Sequence, residues 1–151
     1  KTLGVSAAIS AILALVHDVL FLIAVYGIFK FPINSVFIAV VLTIVGYSIN
    51  ATIVIFDRIR ENLHGLKKQS KEELTEVCNK SLTQTLSRSI FTSLTTFIMV
   101  AALFVLGVSS IREFALPLMA GLICGTYSSV CIATQLWYVL RVRFEKREEE
   151  E

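Results

Sequence analysis

The chain has 151 residues, of which 55% are hydrophobic and 17% charged, with a mean hydropathy of +0.73 and a formal net charge of +2. A soluble helical domain carries about 25% charged residues and sets polar stripes along its outer faces; this chain does neither over most of its length. So small a basic excess is no electrostatic footprint for nucleic acid, and no nucleic-acid partner is expected.

Four apolar stretches dominate, at about 3–29, 31–56, 89–111 and 114–140, and the last three are uninterrupted by charge. Each exceeds the roughly 20 residues that a helix needs to cross a hydrocarbon core. The expected fold class is therefore an all-α membrane protein with transmembrane helices at about 5–28, 34–57, 85–106 and 113–140. Residues 141–151 form a charged cytoplasmic tail, of which Glu145 to Glu151 is expected to fray into water. No basic leader region or small-residue cleavage site opens the chain, and a chain that begins with Lys1 is expected to be a fragment or a processed product.

The first helix carries His17 and Asp18 at its middle, where an isolated carboxylate must be protonated, paired or hydrated. Adjacent helical residues point about 100° apart, so these two need not contact each other. Ala7, Ala11 and Ala14 lie on the Asp18 side as a small-residue packing face. Asp18 reads equally as a polar packing hinge and as a proton-relay group. The helix should stop near Pro32, which disfavours helical conformation in the residue before it.

The second helix starts near Asn34 and carries Thr43, Tyr47, Asn50, Val54 and Asp57 on one stripe. Gly46 and Thr52 lie within the same run, which ends in Asp57, Arg58, Arg60 and Glu61 at the membrane boundary. A polar break around Gly65 follows, and Ser70 and Glu73 have the spacing of a capping box. Leu74, Val77, Cys78, Leu82 and Leu86 then recur at helical spacing, predicting an amphipathic interfacial helix at about 71–83 on the cytoplasmic surface.

The third helix opens on Arg88 and continues through Thr92, Ser93, Thr95 and Thr96, whose hydroxyls are expected to make interhelical hydrogen bonds worth about 0.6–2 kcal/mol each. Arg88 either snorkels to the interface or turns inward to a carboxylate. After an outer turn at residues 107–110, the fourth helix carries Gly121 and Gly125 four apart, a close-approach pattern, and then Thr126-Tyr127-Ser128-Ser129.

Lys and Arg fall unevenly: twelve of the fourteen lie at Lys1, between Arg58 and Arg88, or in the tail. Short positively charged loops stay on the cytoplasmic side, so both termini and the central connection are expected there, and the basic residues also face the lipid bilayer. Cys78, Cys124 and Cys131 show no metal spacing and read as reduced structural residues. No metal site, cofactor, nucleophile–base pair or phosphate loop is visible, so enzymatic catalysis is not expected.

The run from Gly46 to Asn62, with Tyr47, Ser48, Asn50, Thr52, Asp57-Arg58-Ile59-Arg60-Glu61 inside it, resembles the SecF-type signature of the SecD/SecF family of protein-export membrane proteins. Three further blocks agree, in order: residues 14–19, residues 81–96 and residues 125–129. The resemblance implies a six-helix resistance-nodulation-division architecture of which this chain holds the last four helices. It also implies SecD as partner, with the SecYEG translocon, YajC and a translocating preprotein as associates, in the bacterial inner membrane. The implied activity is help with late, proton-motive-force-dependent export. The family's proton path is expected to use a carboxylate directly after Asn50 and an arginine at the position of Arg88. Here Ala51 stands at the carboxylate position, and alanine carries no proton; Asp18 and Arg88 remain. A small-molecule or lipid transporter of the same superfamily, or a membrane scaffold, is the competing reading.

Overall fold

The structure, a computed structural model, describes residues 2–64 and 71–150, with side chains described for residues 4–64 and 71–143. Helix α1 spans Thr2–Phe29, α2 spans Ser35–Leu63 and α3 spans Lys71–Leu106. Helix α4 (Ser109–Tyr127) runs through a π-helical segment (Ser128–Ala133) into α5 (Thr134–Glu150). Four of the rods thus formed are long and apolar enough to cross a membrane, and the short connections at 30–34 and 107–108 make sequential neighbours antiparallel.

The first connection is set by two local devices rather than by Pro32 alone. Lys30 adopts a left-handed φ of 54°, and the Phe31 amide donates 3.0 Å to the Tyr26 carbonyl. This is the hydrogen bond of a Schellman turn, and its usual apolar companion is present as an edge-on Tyr26–Phe31 ring pair 5.6 Å apart. Asn34 then caps α2, its side-chain oxygen accepting from the amides of Val36 (2.9 Å) and Phe37 (3.4 Å). The second connection turns at Gly107, where a Cβ would stand 2.3 Å from the Leu103 carbonyl oxygen. The fourth helix therefore begins at Ser109, inside the stretch expected to be turn.

Three element boundaries differ from expectation. The amphipathic segment at 71–83 is not a separate surface helix: α3 is continuous from Lys71 to Leu106, and this stretch contains neither Gly nor Pro to interrupt it. Its apolar face does exist, but Leu74, Val77 and Cys78 pack on Ile55, Ile59, Leu63 and Trp137 of α2 and α5 instead of on lipid. Helix α2 extends past residue 57 to Leu63. The tail does not fray but continues α5 to Glu150, a run of Glu, Lys and Arg with good helix propensity. The expected break at Gly65 and the Ser70 half of the capping box lie outside the described residues.

Packing divides into two apolar clusters. One holds Leu22, Tyr26, Val40, Ile44, Val100, Ala115, Leu118 and Leu122, toward the end with the short connections. The other, around Trp137, lies toward the end with the termini. Between them most buried positions of α1, α2 and the π segment are polar: Ser10, Asp18, Ser48, Thr52, Ser128 and Ser129, with Ala14 and Ala133 among them. The close approach of α4 to α2 is made at Gly121, where a Cβ would stand 2.6 Å from Ile44 Cδ1 and Cγ1. Gly125 has Ser48 Cβ at an ordinary 3.6 Å, and Gly46 faces open space with nothing within 4 Å.

Candidate functional site

The polar layer is built around Asp18, which is 1% exposed. Ser48 of α2 donates to Asp18 Oδ2 at 2.5 Å, and Ser128 of the π segment donates to the same oxygen at 2.8 Å. The other oxygen, Oδ1, has His17 Nδ1 at 3.3 Å and Cys124 Sγ at 3.7 Å. Three helical elements thus converge on one carboxylate, and its burial is tolerable because each neighbour supplies a donor. His17 and Asp18, whose adjacency in sequence did not require it, are in contact. The angular offset of the two side chains is real, but the imidazole swings back to reach the carboxylate, leaving its own side chain 42% exposed.

The small-residue face beside Asp18 is also rearranged. Ser6, Ser10 and Ala14 are its fully buried members, while Ala7 and Ala11 are only half buried. Ser48 and Ser128 were not singled out from sequence as Asp18 partners, because they stand 30 and 110 positions away from it. The available signal was their place four residues after Ile44 and within the Thr126-Tyr127-Ser128-Ser129 block. The π-helical segment itself had no advance signal. Its wider turn presents both Ser128 and Ser129 to the interior, and such segments are frequent at functional sites.

A second polar region lies in the cleft between α2 and α3. A cavity of about 60 Å³ is lined by Tyr47, Asn50, Ala51, Val54, Arg88, Ser89 and Thr92. A larger one of about 290 Å³ shares Val54 and Arg88 with it and adds Asp57, Arg58, Glu61 and Gln84. The residues expected to form one path therefore sort into two places. Asn50, Ala51, Arg88 and Thr92 line the cleft, whereas Thr52 is buried on the interior face with Ser48. Asn50 is exposed rather than interior, and Thr43, expected on the same stripe, is exposed and donates to its own helix at the Ala39 carbonyl.

At the cleft mouth Arg58 forms an ion pair with Glu61 at 2.5 Å and donates to Gln84 at 2.7 Å, while Asn62 donates to Ser81 at 2.8 Å and Gln84 at 3.1 Å. These bonds tie α2 to α3. Arg60 lines a separate groove of about 540 Å³ with Gly4, Ala8, Phe56, Asp57 and Trp137. Among the described residues, the side chains of Asp57 and Arg88 make no hydrogen bond or ion pair, and both are exposed.

The hydroxyls of Thr92, Thr95 and Thr96 do not bridge helices. Each donates to a carbonyl one turn back in α3: Arg88, Phe91 and Thr92 respectively, at 2.8–3.0 Å. Bonding inside the helix satisfies a hydroxyl without a neighbour, which is why hydroxyl density alone did not reveal helix contacts. The bridging role falls to Ser93, whose Oγ lies 2.5 Å from the Tyr47 hydroxyl and 2.8 Å from Thr126 Oγ1. Ser93 donates to the Ser89 carbonyl at 2.8 Å and accepts from Tyr47, while the Thr126 hydroxyl has both Ser93 Oγ and the Leu122 carbonyl at 2.8 Å as acceptors for its one proton.

The fold also brings a distant cysteine to the adjacent pair His17 and Asp18, completing a set of metal-ligand donors. The donor atoms of His17, Asp18 and Cys124 all fall within 4.8 Å of one another. Cys78 and Cys124 are free and buried, while Cys131 is free and exposed.

Comparison with known proteins gives this geometry its context. Protein translocase subunit SecF of Sebaldella termitidis is 47% identical over 144 residues, covering 95% of this chain and 46% of that protein. Protein translocase subunit SecDF of Bacillus subtilis is 43% identical over 141 residues, covering 93% of this chain and 19% of that protein. The chain thus spans about half the length of the curated SecF relatives it matches. A crystal structure of SecDF in its super-membrane-facing form superposes with a TM-score of 0.87 at 40% identity, covering 96% of this chain and 19% of that one. Residues 4–143 match the family described as protein export membrane protein SecD/SecF, C-terminal. With agreement in sequence and fold over nearly its whole length, the chain belongs to the SecD/SecF family.

Proposed function

We propose that this chain is the membrane-embedded part of a SecF-type subunit that assists proton-motive-force-dependent protein export, working with SecD and the SecYEG translocon. YajC and the translocating preprotein are its further associates in this reading. The membrane is the bacterial inner membrane, with both ends of this segment cytoplasmic, a placement supported by the clustering of Lys and Arg at that end of the bundle. Support for the export role comes from relatives named as translocase subunits and from the ordered signature blocks. Its role is conformational and not enzymatic.

The observation that carries the mechanism is Asp18. A carboxylate held at mid-span between three helical elements couples any change in its protonation to their packing, because Ser48 and Ser128 donate to one of its oxygens. His17, at 3.3 Å and half exposed, is the group through which a proton reaches it. The α2–α3 cleft contributes Arg88, Asn50 and Thr92, but Ala51 supplies no titratable group there. Asp57, Arg58 and Glu61 close the cleft at its mouth.

The test is complementation of a strain lacking the subunit with the full-length gene carrying Asp18→Asn. Export, read as the rate of precursor processing, should fall well below wild type while subunit level and SecD pull-down stay normal. Normal export with unchanged dependence on proton-motive force would sink the role of Asp18. Failure to recover SecD with the wild-type subunit would sink the export reading.

A further inference from the structure

We infer that His17, Asp18 and Cys124 form a binding site for a soft divalent transition-metal ion of the zinc class, at mid-span between α1 and α4. The three donors are an imidazole nitrogen, a carboxylate oxygen and a thiol sulfur, a set that suits zinc or cobalt and disfavours magnesium, calcium and sodium, which seek oxygen alone.

The spacing is the argument. Ligands bound to tetrahedral zinc at about 2.0–2.3 Å stand about 3.3–3.6 Å from each other. His17 Nδ1 lies 3.3 Å from Asp18 Oδ1, and Cys124 Sγ lies 3.7 Å from the same oxygen. All three atoms fall within 4.8 Å of one another, so a small closure of the His17–Cys124 side completes the face of a tetrahedron. Water fills the fourth position, as in other sites with three protein ligands.

The surroundings fit as well. Ser48 and Ser128 both donate to Asp18 Oδ2, which fixes the carboxylate and leaves Oδ1 directed at the other two donors. Outer hydrogen bonds of this kind orient ligands in established metal sites. Binding releases the thiol proton, so a divalent ion with one thiolate and one carboxylate carries no net charge, the arrangement a low-dielectric interior accepts. The site stands whether or not Asp18 carries protons in export.

The site is tested by cobalt titration of the full-length protein in lipid nanodiscs, with Co²⁺ as the spectroscopic probe. Near-stoichiometric uptake with a thiolate-to-cobalt charge-transfer band, bleached by an equivalent of Zn²⁺, is the expected result. The band should vanish in Cys124→Ser, and His17→Gln should weaken binding by about 10-fold or more. Because the His17 side chain is half exposed, that variant keeps the test valid even where Cys124→Ser fails to fold. Absence of stoichiometric uptake by the monodisperse wild-type protein overturns the site. So does a band that persists in Cys124→Ser, or an affinity unchanged in His17→Gln.

Discussion

Besides its neighbour His17, Asp18 has partners from other helical elements in Ser48, Ser128 and Cys124, and each is separately removable. Ser48 is fully buried and its hydroxyl has the carboxylate as its partner, so Ser48→Ala leaves an acceptor short of one bond in a dry interior. A loss of about 1–3 kcal/mol is expected, read as a lowered unfolding temperature of the purified protein. In an Asp18→Ala background the same substitution should cost less, and the difference measures the coupling between the two. Lys30 offers the opposite case. It holds a left-handed conformation without being glycine, at a cost of about 1–2 kcal/mol, so Lys30→Gly should raise the unfolding temperature. The residue types at these positions were readable in the sequence, and Asp18 announces itself as a carboxylate in an apolar run. Its partners were not readable, since a hydrogen bond between positions 18 and 128 is decided by how the helices pack and by the phase of a π turn.

At the scale of elements, hydropathy was enough to locate the four membrane-crossing rods, because a bilayer imposes one length and one composition on whatever spans it. The interfacial helix was misread for a physical reason. Amphipathic spacing over Leu74, Val77 and Cys78 says that one face is covered, but not whether lipid or another helix covers it. The absence of Gly and Pro from residues 71–106 was the better guide, and it pointed to continuity. The glycine pair of α4 separates in the same way. Gly121→Ala would drive a methyl into Ile44 and is expected to destabilise by about 1–3 kcal/mol, whereas Gly125→Ala meets only ordinary contacts and should be close to neutral. Thermal unfolding of the two variants side by side checks this; equal losses would mean that the α2–α4 approach is looser than these distances imply.

Across the whole molecule, burial is unequal. The span formed by α4, the π segment and α5 is half buried, while the span in α3 is only 6% buried. The central rod is therefore the most enclosed, and α3 is tied to it through Ser93–Thr126 and to α2 through Ser93–Tyr47 and the Arg58–Gln84 bond. The α2–α3 cleft is the place where a substitution can change function without disturbing the polar layer around Asp18. Ala51→Asp would set a carboxylate in the cavity that Arg88 lines. Under the export reading it should increase the dependence of secretion on proton-motive force, as measured by precursor processing with and without an uncoupler. Identical profiles for the two proteins would remove residue 51 from the mechanism.

The π-helical segment has a consequence for what the gene can tolerate. A π turn holds about one more residue than the α turn it replaces. Ser128, at its start, is phased to meet Asp18, and Trp137, beyond its end, is phased to fill the cluster with Ile55 and Leu74. Because one wide turn stands in for one α turn, the extra residue is absorbed locally and the halves on either side keep their phase. Deleting a single codon from positions 130–133 would let an unbroken α-helix form with both contacts still in reach, and thermal unfolding of that variant is expected to stay close to wild type. Deleting Ile123 from the regular part of α4 would instead rotate one half against the other by about 100° and should abolish the folded protein. The π segment is thus the one place in this rod where the loss of an amino acid can be absorbed.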